Sequence, residues 1–285
     1  MKKFYIIANK EKDQELKIAN KIIGILTKQN ISCKMNSLPL NREASVLRYT
    51  DKNDIDSDTD GIIVIGGDGT LLQAARDLAD IDIPMIGVNL GHLGYLAEIE
   101  QNQIDDMISM MVADNYKIES RIMLEGCVYR NQSKLYENIA LNDIVLGRAG
   151  NLRIIDFKVY VNDEYLNLYS ADGIILSTPT GSTAYNLSAG GPILEPSASI
   201  IAITPICSHT LGSRSIVLSA ESKIKIEICS NRHLDDNDTK VYFDGNSSFM
   251  LKEGDIIQIN KSCLDTKIMK LNKMSFVEVL HKKMN

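Results

Sequence analysis

The feature that most constrains this chain is a short apolar run that ends in a cluster of glycines. Residues 62–65, Ile-Ile-Val-Ile, are followed directly by Gly66-Gly67-Asp68-Gly69-Thr70. The run is typical of a buried parallel strand, and apolar residues then recur at helical spacing, at Leu71, Leu72, Ala74, Ala75, Leu78 and Ala79. The sequence therefore predicts a strand, a glycine-rich loop and a helix, a unit typical of α/β layers.

This loop has the composition of a phosphate-binding segment. Gly66, Gly67 and Gly69 leave room for anionic oxygens to approach the backbone N–H groups, and the N-terminus of the following helix adds a partial positive charge. Asp68 would repel phosphate unless it takes part in the chemistry or holds a metal. The absence of Lys-Ser/Thr after the glycines excludes a Walker A loop. An ordinary glycine-rich turn with Asp68 as a helix cap remains an alternative.

Composition limits the classes of protein to which the chain can belong. Its 285 residues, 44% hydrophobic and 24% charged, are enough for one or two sizeable cores. The net charge of -6 argues against a general nucleic-acid binder. We expect no membrane span and no signal peptide, because no apolar stretch approaches the ~20 residues that a span requires. The five cysteines form no Cys-x-x-Cys pair, so we expect reduced core residues of a cytoplasmic protein.

The periodicity of the sequence changes near residue 120 and indicates two domains. Strands and helices alternate before this point, whereas strand patterns dominate after it. We predict an α/β N-terminal domain over 1–120, a β-rich, β-sandwich-like C-terminal domain over 121–269, and a segment 270–285 that packs back on the first domain. The predicted strands are 4–8, 61–65, 84–88, 123–129, 141–146, 154–161, 174–176, 200–203, 223–228 and 256–259, with helices over 16–26, 104–112 and 275–284 and a hairpin turn at Asn162-Asp163.

Two further segments carry polar groups suited to a ligand. In residues 172–188 a buried strand runs into closely spaced hydroxyls, small residues and glycines, which suit the edge of a base and the hydroxyls of a ribose. A Ser/Thr-rich turn is the alternative. Asn142 and Asp143 are adjacent in a strand-like run. Since adjacent strand residues face opposite sides, both reach one ligand only near a strand end or bulge.

Taken together, these motifs resemble those of bacterial NAD kinases. The resemblance covers most of the chain, in the same order, through 66–70, 87–96, 142–143, 172–194 and 208–211. The Ser/Thr/Gly segment is its most specific part, whereas the Gly-Gly-Asp-Gly-Thr motif is shared with diacylglycerol and sphingosine kinases. The resemblance implies an NAD kinase/diacylglycerol kinase-like fold and transfer of the γ-phosphoryl group of ATP, or of polyphosphate, to the adenosine ribose 2′-hydroxyl of NAD, which gives NADP. It also implies Mg²⁺ or another divalent cation with ATP, a cytoplasmic dimer or tetramer, and no nucleic-acid or membrane partner.

The resemblance also assigns roles to individual residues. Asp68 corresponds to the proton acceptor, and the phosphate loop comprises Gly66, Gly67, Gly69 and Thr70. The residues implied to bind NAD are Asp68, Gly69, Asn142, Asp143, Arg153, Asp172, Thr183, Ala184, Tyr185, Ser188 and Asn246; no side chain is assigned as a metal ligand. Among these, Asn142 and Asp143 would touch adenine and ribose hydroxyls, and Asp172 would lie near the nicotinamide end. Two positions depart from the family: Asp143 replaces the usual Glu, and Ser170 replaces a frequent Arg.

Two other functions share part of this pattern. A lipid kinase has the same glycine-aspartate motif but needs an apolar acyl-chain pocket, and residues 172–188 argue against it. A catalytically silent nucleotide sensor would keep the pocket. Retention of Asp68 argues against a sensor, because a binding protein has no need of an acid in a phosphate loop.

Overall fold

The computed structural model describes residues 1–36, 50–91, 94–150, 154–210, 212–229, 239–271 and 275–284. In these ranges the strands are β1 (Lys3–Ala8), β2 (Ser32–Met35), β3 (Gly61–Gly66), β4 (Met85–Asn89), β5 (Lys117–Arg130), β6 (Ser133–Ala140), β7 (Asp143–Arg148), β8 (Ile155–Val161), β9 (Glu164–Ala171), β10 (Gly173–Ser177), β11 (Ile200–Ile206), β12 (Ile216–Ser219), β13 (Ile224–Ile228), β14 (Thr239–Phe243), β15 (Ser247–Leu251) and β16 (Ile256–Lys270). The helices are α1 (Lys17–Lys28), α2 (Asp68–Asp77), α3 (Ile104–Val112), α4 (Tyr185–Ser188) and α5 (Phe276–Met284).

The chain divides into two compact units. The first contains Met1–Arg121 and Thr266–Asn285, and the second contains Ile122–Asp265. The sequence places its domain boundaries after residues 120 and 269. That these are the limits of independently folding domains stays a prediction.

A parallel sheet in the order β2-β1-β3-β4 forms the centre of the first unit. All six residues of β3 are buried, as expected for a parallel strand covered on both faces. One apolar cluster joins the sheet to α1 and α3 through Phe4, Ile6, Ile63, Ile65, Ala19, Ile22, Leu26, Ile104, Met107, Ile108 and Met111. Helix α2 contacts β3 and β4, and its Leu71, Ala74 and Ala75 are buried, which confirms the helix predicted after the glycine loop.

The strand order creates a switch point beside the glycine loop. Strand β1 has β2 on one side and β3 on the other, so the loops that follow β1 and β3 leave neighbouring strands at the carboxyl edge of the sheet. In open α/β sheets, ligands bind at such switch points. The fold therefore places the glycine loop where a ligand is expected.

Antiparallel strands form the second unit. One sheet has the order β12-β11-β10-β7-β14-β15, and a second group contains β13, β8 and β9 with the first part of β16. A common apolar core contains residues of both, including Leu146, Ile174, Leu176, Ile203, Phe157, Val159, Ile226 and Ile257. This packing, with the α/β first unit, confirms the predicted fold class.

The structure also corrects the sequence interpretation in places. The hairpin turn at Asn162-Asp163 is confirmed by positive φ angles of 51° and 67°. Strands β2, β6, β9, β12, β14 and β15 were not predicted, because they are short or have many exposed positions and lack a continuous apolar run.

All five cysteines are free, but Cys207 and Cys263 are exposed, so the expectation of core residues was wrong for these two. Within the described ranges, no helix has the length and apolarity needed to cross a bilayer.

A buried ion pair in the second unit provides a test of its stability. The Asp255 carboxylate is fully buried and accepts two hydrogen bonds from Arg130, Nε to Oδ1 at 2.7 Å and Nη2 to Oδ2 at 2.8 Å. We expect Arg130→Met to lower the free energy of unfolding by about 3 kcal/mol or more, because it leaves a buried charge without its partner. Chemical denaturation measures this change. Lys134→Met, which breaks an exposed pair with Glu137, is the control, and an equal loss in both variants would contradict the prediction.

Candidate functional site

The carboxylate of Asp68 organises the loop that follows β4. Asp68 begins α2, is partly buried, and accepts three consecutive backbone N–H groups: Tyr95 N to Oδ2 at 2.7 Å, Leu96 N to Oδ1 at 3.1 Å and Ala97 N to Oδ1 at 2.9 Å. A carboxylate has about four lone-pair sites. Within the described residues Oδ1 accepts two N–H groups and Oδ2 accepts one, so one acceptor site of Oδ2 remains for a ligand.

Gly94 makes this arrangement possible. A Cβ atom at Gly94 would lie 1.9 Å from Asp68 Oδ1, far inside van der Waals contact. The neighbouring Gly91 differs, because the nearest atom to its Cβ position is Asn89 Oδ1 at 3.9 Å. The close approach of this loop to Asp68 therefore depends on a glycine at position 94 and not at position 91.

Further contacts hold the glycine loop and its neighbours together. Leu90 N donates to Gly66 O at 2.8 Å, and Asn9 Nδ2, in the loop after β1, donates to Thr70 Oγ1 at 3.1 Å. The Thr70 side chain packs against Gly66, where a Cβ would lie 2.4 Å from Thr70 Oγ1. Of the predicted phosphate loop, Thr70 thus has a structural part, and the sequence analysis did not identify Asn9 as its partner.

The Tyr95 ring contacts the C-terminal helix. Lys283 Nζ of α5 lies 3.9 Å from the centroid of the ring, within the range of a cation–π interaction. Burial, together with the nearby Asp68 carboxylate, raises the pKa of Tyr95. The loop that contacts Asp68 is therefore held by two elements of the first unit.

A cavity of about 510 Å³ in the second unit brings together much of the predicted NAD-binding set. It is lined by Asn142, Asp143, Val145, Gly147, Arg148, Asp172, Ala184, Tyr185, Ile206, Tyr242, Asp244 and Gly245. Five of these were predicted from the sequence: Asn142, Asp143, Asp172, Ala184 and Tyr185. Asp143 begins β7, which agrees with the expectation that an adjacent amide and carboxylate serve one ligand at a strand end.

Asp244 fixes the backbone of the Asn142-Asp143 pair. Its carboxylate accepts Leu141 N at 2.9 Å, Asn142 N at 2.8 Å and Asp143 N at 3.1 Å. Asp244 and Gly245 have φ angles of 50° and 68° in the turn between β14 and β15. The sequence analysis predicted neither this turn nor its bond to a segment about a hundred positions earlier.

Asp143 itself has an unusual protonation equilibrium. It is 5% exposed, and its burial, with the nearby Asp244 carboxylate, raises its pKa to about 7. Near neutral pH this carboxyl group is therefore present in both protonation states. A protonated carboxyl donates one hydrogen bond, whereas a carboxylate only accepts them.

Most hydroxyls of the Ser/Thr-rich segment support the protein rather than face a ligand. Thr178 Oγ1 donates to Leu141 O at 2.6 Å and accepts Gly181 N at 3.1 Å, and Ser182 Oγ donates to Pro179 O at 2.6 Å. A Cβ at Gly181 would lie 2.1 Å from Asn142 O. These contacts hold the segment in close packing with residues 141–142. The cavity receives Ala184 and Tyr185 from the segment.

The remaining predicted residues have less direct positions. Thr183 Oγ1 donates to Thr180 O at 3.4 Å, Ser188 ends α4, and Asn246 follows the cavity residue Gly245. Arg153 lies outside the described residues. Thr183, Ser188 and Asn246 are not among the residues that line the cavity.

Arg148 is a cavity residue that the sequence analysis missed. It ends β7, and its Nη2 lies 3.0 Å from Asp172 Oδ2. Ser170, at the position where the resemblance implies an Arg, donates through Oγ to Asp156 Oδ1 at 2.5 Å. The guanidinium group in this cavity thus comes from β7 and not from position 170. Alternation along β7 from Asp143, Val145 and Gly147 assigns Arg148 to the opposite face, so the sequence carries no signal for it; it lines the cavity from the end of the strand.

One group of possible metal ligands was found among the described residues. The ligand atoms of Glu125, Cys127 and Glu137 lie within 4.8 Å of one another on the β5–β6 hairpin. Burial raises the pKa of the Cys127 thiol, which disfavours the thiolate that binds metals, and Glu137 pairs with Lys134. The hairpin is therefore not a persuasive metal centre.

Comparison with known proteins identifies relatives over the whole chain. The family profile described as the ATP-NAD kinase N-terminal domain matches residues 4–116, and that of the ATP-NAD kinase C-terminal domain matches residues 141–271. The NAD kinase of Agathobacter rectalis is 45% identical over 284 residues, covering 100% of this chain and 99% of that protein. The NAD kinase of Lachnospira eligens is 42% identical over 296 residues, and the alignment covers 100% of this chain and 100% of that protein.

A solved structure has the same fold at lower sequence identity. Yeast NADH kinase complexed with NADH superimposes with a TM-score of 0.88 at 23% identity, covering 100% of this chain and 87% of that chain.

The raised pKa of Asp143 predicts a pH-dependent stability. Because the folded state holds this proton between about pH 4 and pH 7 and the unfolded state does not, the contribution of Asp143 to the unfolding free energy falls as pH rises through that window. We expect the free energy of unfolding of wild type, relative to that of Asp143→Asn, to fall by on the order of 4 kcal/mol as pH rises from about 4 to about 7. Above about pH 7 this difference should stay constant. Urea denaturation from pH 4 to 8 measures it, with Asp163→Asn, at an exposed turn, as the matched control. Parallel curves for wild type and Asp143→Asn would contradict a protonated Asp143.

Proposed function

This chain belongs to the NAD kinase family, and we propose that it transfers the γ-phosphoryl group of ATP to the 2′-hydroxyl of the adenosine ribose of NAD. The observation that carries the chemistry is the Asp68 carboxylate, fixed by three N–H groups at the start of α2 with one acceptor site left on Oδ2. The family matches cover both units of the chain.

Asp68 accepts the proton that the ribose hydroxyl loses. In the loose transition state of phosphoryl transfer, the hydroxyl becomes acidic late, so a positioned carboxylate need only accept the proton at that stage. The bond between the ribose oxygen and the γ-phosphorus forms as the bond to the bridging oxygen of ATP breaks. The proton passes to Asp68 Oδ2, and the electron pair leaves with ADP.

The glycine loop contributes to binding of the donor. Its backbone continues into the N-terminus of α2, whose unpaired N–H groups favour anionic oxygens. Apart from its chain neighbours and the backbone of α2, no heavy atom of the described residues lies within 4 Å of the Cβ position of Gly69, so this face of the loop is open. Gly69 thereby admits phosphate groups close to the backbone, whereas Gly66 allows the Thr70 side chain to pack and Gly67 leaves room for a cation.

NAD binds through the cavity of the second unit. Asn142 and Asp143 contact adenine and ribose hydroxyls, and the segment with Thr183, Ala184, Tyr185 and Ser188 contributes the adenine side. Asp172 serves the nicotinamide end, and Asn246 adds a polar contact. Gly69 and Arg153 complete the proposed NAD set. Support comes from the cavity, which five of these residues line.

A divalent cation enters with the donor. The single free acceptor site of Asp68 is the one assigned to the ribose proton, so the donor phosphates and water fit as ligands of Mg²⁺. When bound, the ion neutralises charge that develops on the phosphate oxygens. Asp68 and the glycine loop are the residues that would face it.

Several features of the protein in the cell are part of the same proposal. We place the enzyme in the cytoplasm as a homodimer or homotetramer that does not bind nucleic acid or membranes. Polyphosphate is retained as an alternative donor, because the glycine loop recognises phosphate and not a base. Residues 1–120 with 270–285 form the α/β domain, and residues 121–269 form the NAD-binding domain.

Formation of NADP tests the proposal. Purified protein is incubated with Mg-ATP and NAD, and an NADP-specific dehydrogenase detects the product. We expect Asp68→Asn to lower kcat on the order of 10²-fold or more, because the amide does not accept the proton and also opposes the Tyr95 N–H. Absence of NADP with both ATP and polyphosphate would refute the function. Near wild-type turnover of Asp68→Asn would remove Asp68 from the mechanism.

Gly94→Ala tests whether the position of the Asp68 carboxylate matters for catalysis when the carboxylate itself is retained. The added methyl group displaces either Asp68 or the loop, so we expect kcat to fall about 10-fold or more while the carboxylate is retained. Gly91→Ala is the matched control, because its methyl group meets no atom closer than 3.9 Å. The same NADP assay measures both variants. Equal activity of the two would show that the fixed geometry of Asp68 is unimportant.

A further inference from the structure

The glycine loop lacks the cation that phosphate loops commonly carry. A Walker A loop supplies a lysine to the β- and γ-phosphates from its own sequence, and this chain has none after its glycines. Its loop instead contains a carboxylate, Asp68, beside which a polyphosphate chain would meet like charge. If the proposed function holds, a cation should therefore reach this loop from another element.

Lys12 occupies the required position. A Cβ atom at Gly67 would lie 3.0 Å from Lys12 Nζ, and apart from Gly66–Asp68 themselves no other heavy atom of the described residues lies within 4 Å of that point. Lys12 belongs to the loop after β1, which borders the switch point of the sheet. Two independent features, the strand order and the side-chain position, thus bring an ammonium group to the glycine loop.

The backbone of Lys12 is fixed on both sides. Asn9 accepts Lys12 N through its carbonyl oxygen at 3.1 Å and through Oδ1 at 3.3 Å, and Asn9 N donates to Ile65 O at 2.9 Å. Asp13, which follows Lys12, is buried and accepts Ile18 N and Ala19 N at 2.9 Å each. The side chain of Lys12 is exposed to solvent.

The ammonium group of Lys12 is available to a ligand. Among the described residues it forms no ion pair with a carboxylate, and the nearby Glu15 pairs with Lys17 at 3.2 Å. A lysine ammonium is a compact charge that suits phosphate oxygens. Gly67, in turn, leaves the space that the ammonium group uses.

We propose that Lys12 binds the phosphate chain of the phosphoryl donor at the glycine loop. It replaces the loop lysine of other phosphate-binding sites and offsets the charge of Asp68 without neutralising the proton acceptor, which is engaged by backbone N–H groups. The proposal rests on the proposed function and assigns Lys12 to the donor, not to NAD.

Steady-state kinetics of Lys12→Met test this assignment. We expect KM for ATP to rise on the order of 10-fold or more, as for loss of a charge-assisted hydrogen bond, with KM for NAD unchanged within about two-fold. Lys12→Arg should recover part of the affinity, and Lys10→Met, an exposed lysine of the same loop, should match wild type. Inorganic tripolyphosphate should compete with ATP less well in Lys12→Met than in wild type.

Two outcomes would overturn the proposal. One is a Lys12→Met enzyme with the same KM for ATP and kcat as Lys10→Met; the other is an equal rise of KM for ATP and NAD. Calorimetric titration with Mg-ATP separates this proposal from the function as a whole. If wild type makes no NADP but binds Mg-ATP about 10-fold or more tightly than Lys12→Met does, Lys12 is a donor-binding residue although the acceptor is not NAD. Equal affinity of wild type and Lys12→Met for Mg-ATP would reject the proposal for Lys12.

Discussion

The first unit depends on one interaction, the capture of three consecutive N–H groups by the Asp68 carboxylate. This interaction joins the start of α2 to the loop after β4, and Gly94 permits the approach. A carboxylate held in this way keeps one oriented acceptor site instead of rotating freely. The bonds that stabilise the loop therefore also determine the direction from which a hydroxyl group must approach.

The second unit contains the same kind of interaction, with a different consequence. The Asp244 carboxylate also accepts three consecutive N–H groups, those of residues 141–143, and so fixes the predicted ligand pair at the start of β7. The consequence differs because Asp143 is buried close to Asp244, which raises its pKa to about 7. The same charge that orders the backbone thus keeps its neighbour partly protonated. Asp143 is one methylene shorter than the Glu that the resemblance implies, so its carboxyl group stays close to the backbone that Asp244 holds.

How much the sequence could predict depended on the distance over which each signal acts. Local signals worked: the apolar run with its glycines predicted β3, the loop and α2, and the ordered motifs identified the family and the fold class. Contacts between distant segments were not predictable. Gly94 beside Asp68, Asp244 beside Asn142, and Arg148 beside Asp172 are pairs that only strand order and register bring together. The hydroxyls of residues 177–182 illustrate the converse, since the pattern suggested ligand contacts where the structure uses Ser177, Thr178 and Ser182 internally.

The positions of the cationic side chains at these sites were also not predictable from local sequence signals. The sequence has no lysine in the glycine loop and has a serine at position 170, where the resemblance to NAD kinases implies an arginine. The fold supplies cations from other elements, Lys12 from the loop after β1 and Arg148 from the end of β7. Strands β1 and β3 are adjacent and parallel, so the loops that follow them end side by side and Lys12 can face a ligand of the glycine loop. The charge requirement of a site therefore constrains a group of neighbouring loops rather than a single motif.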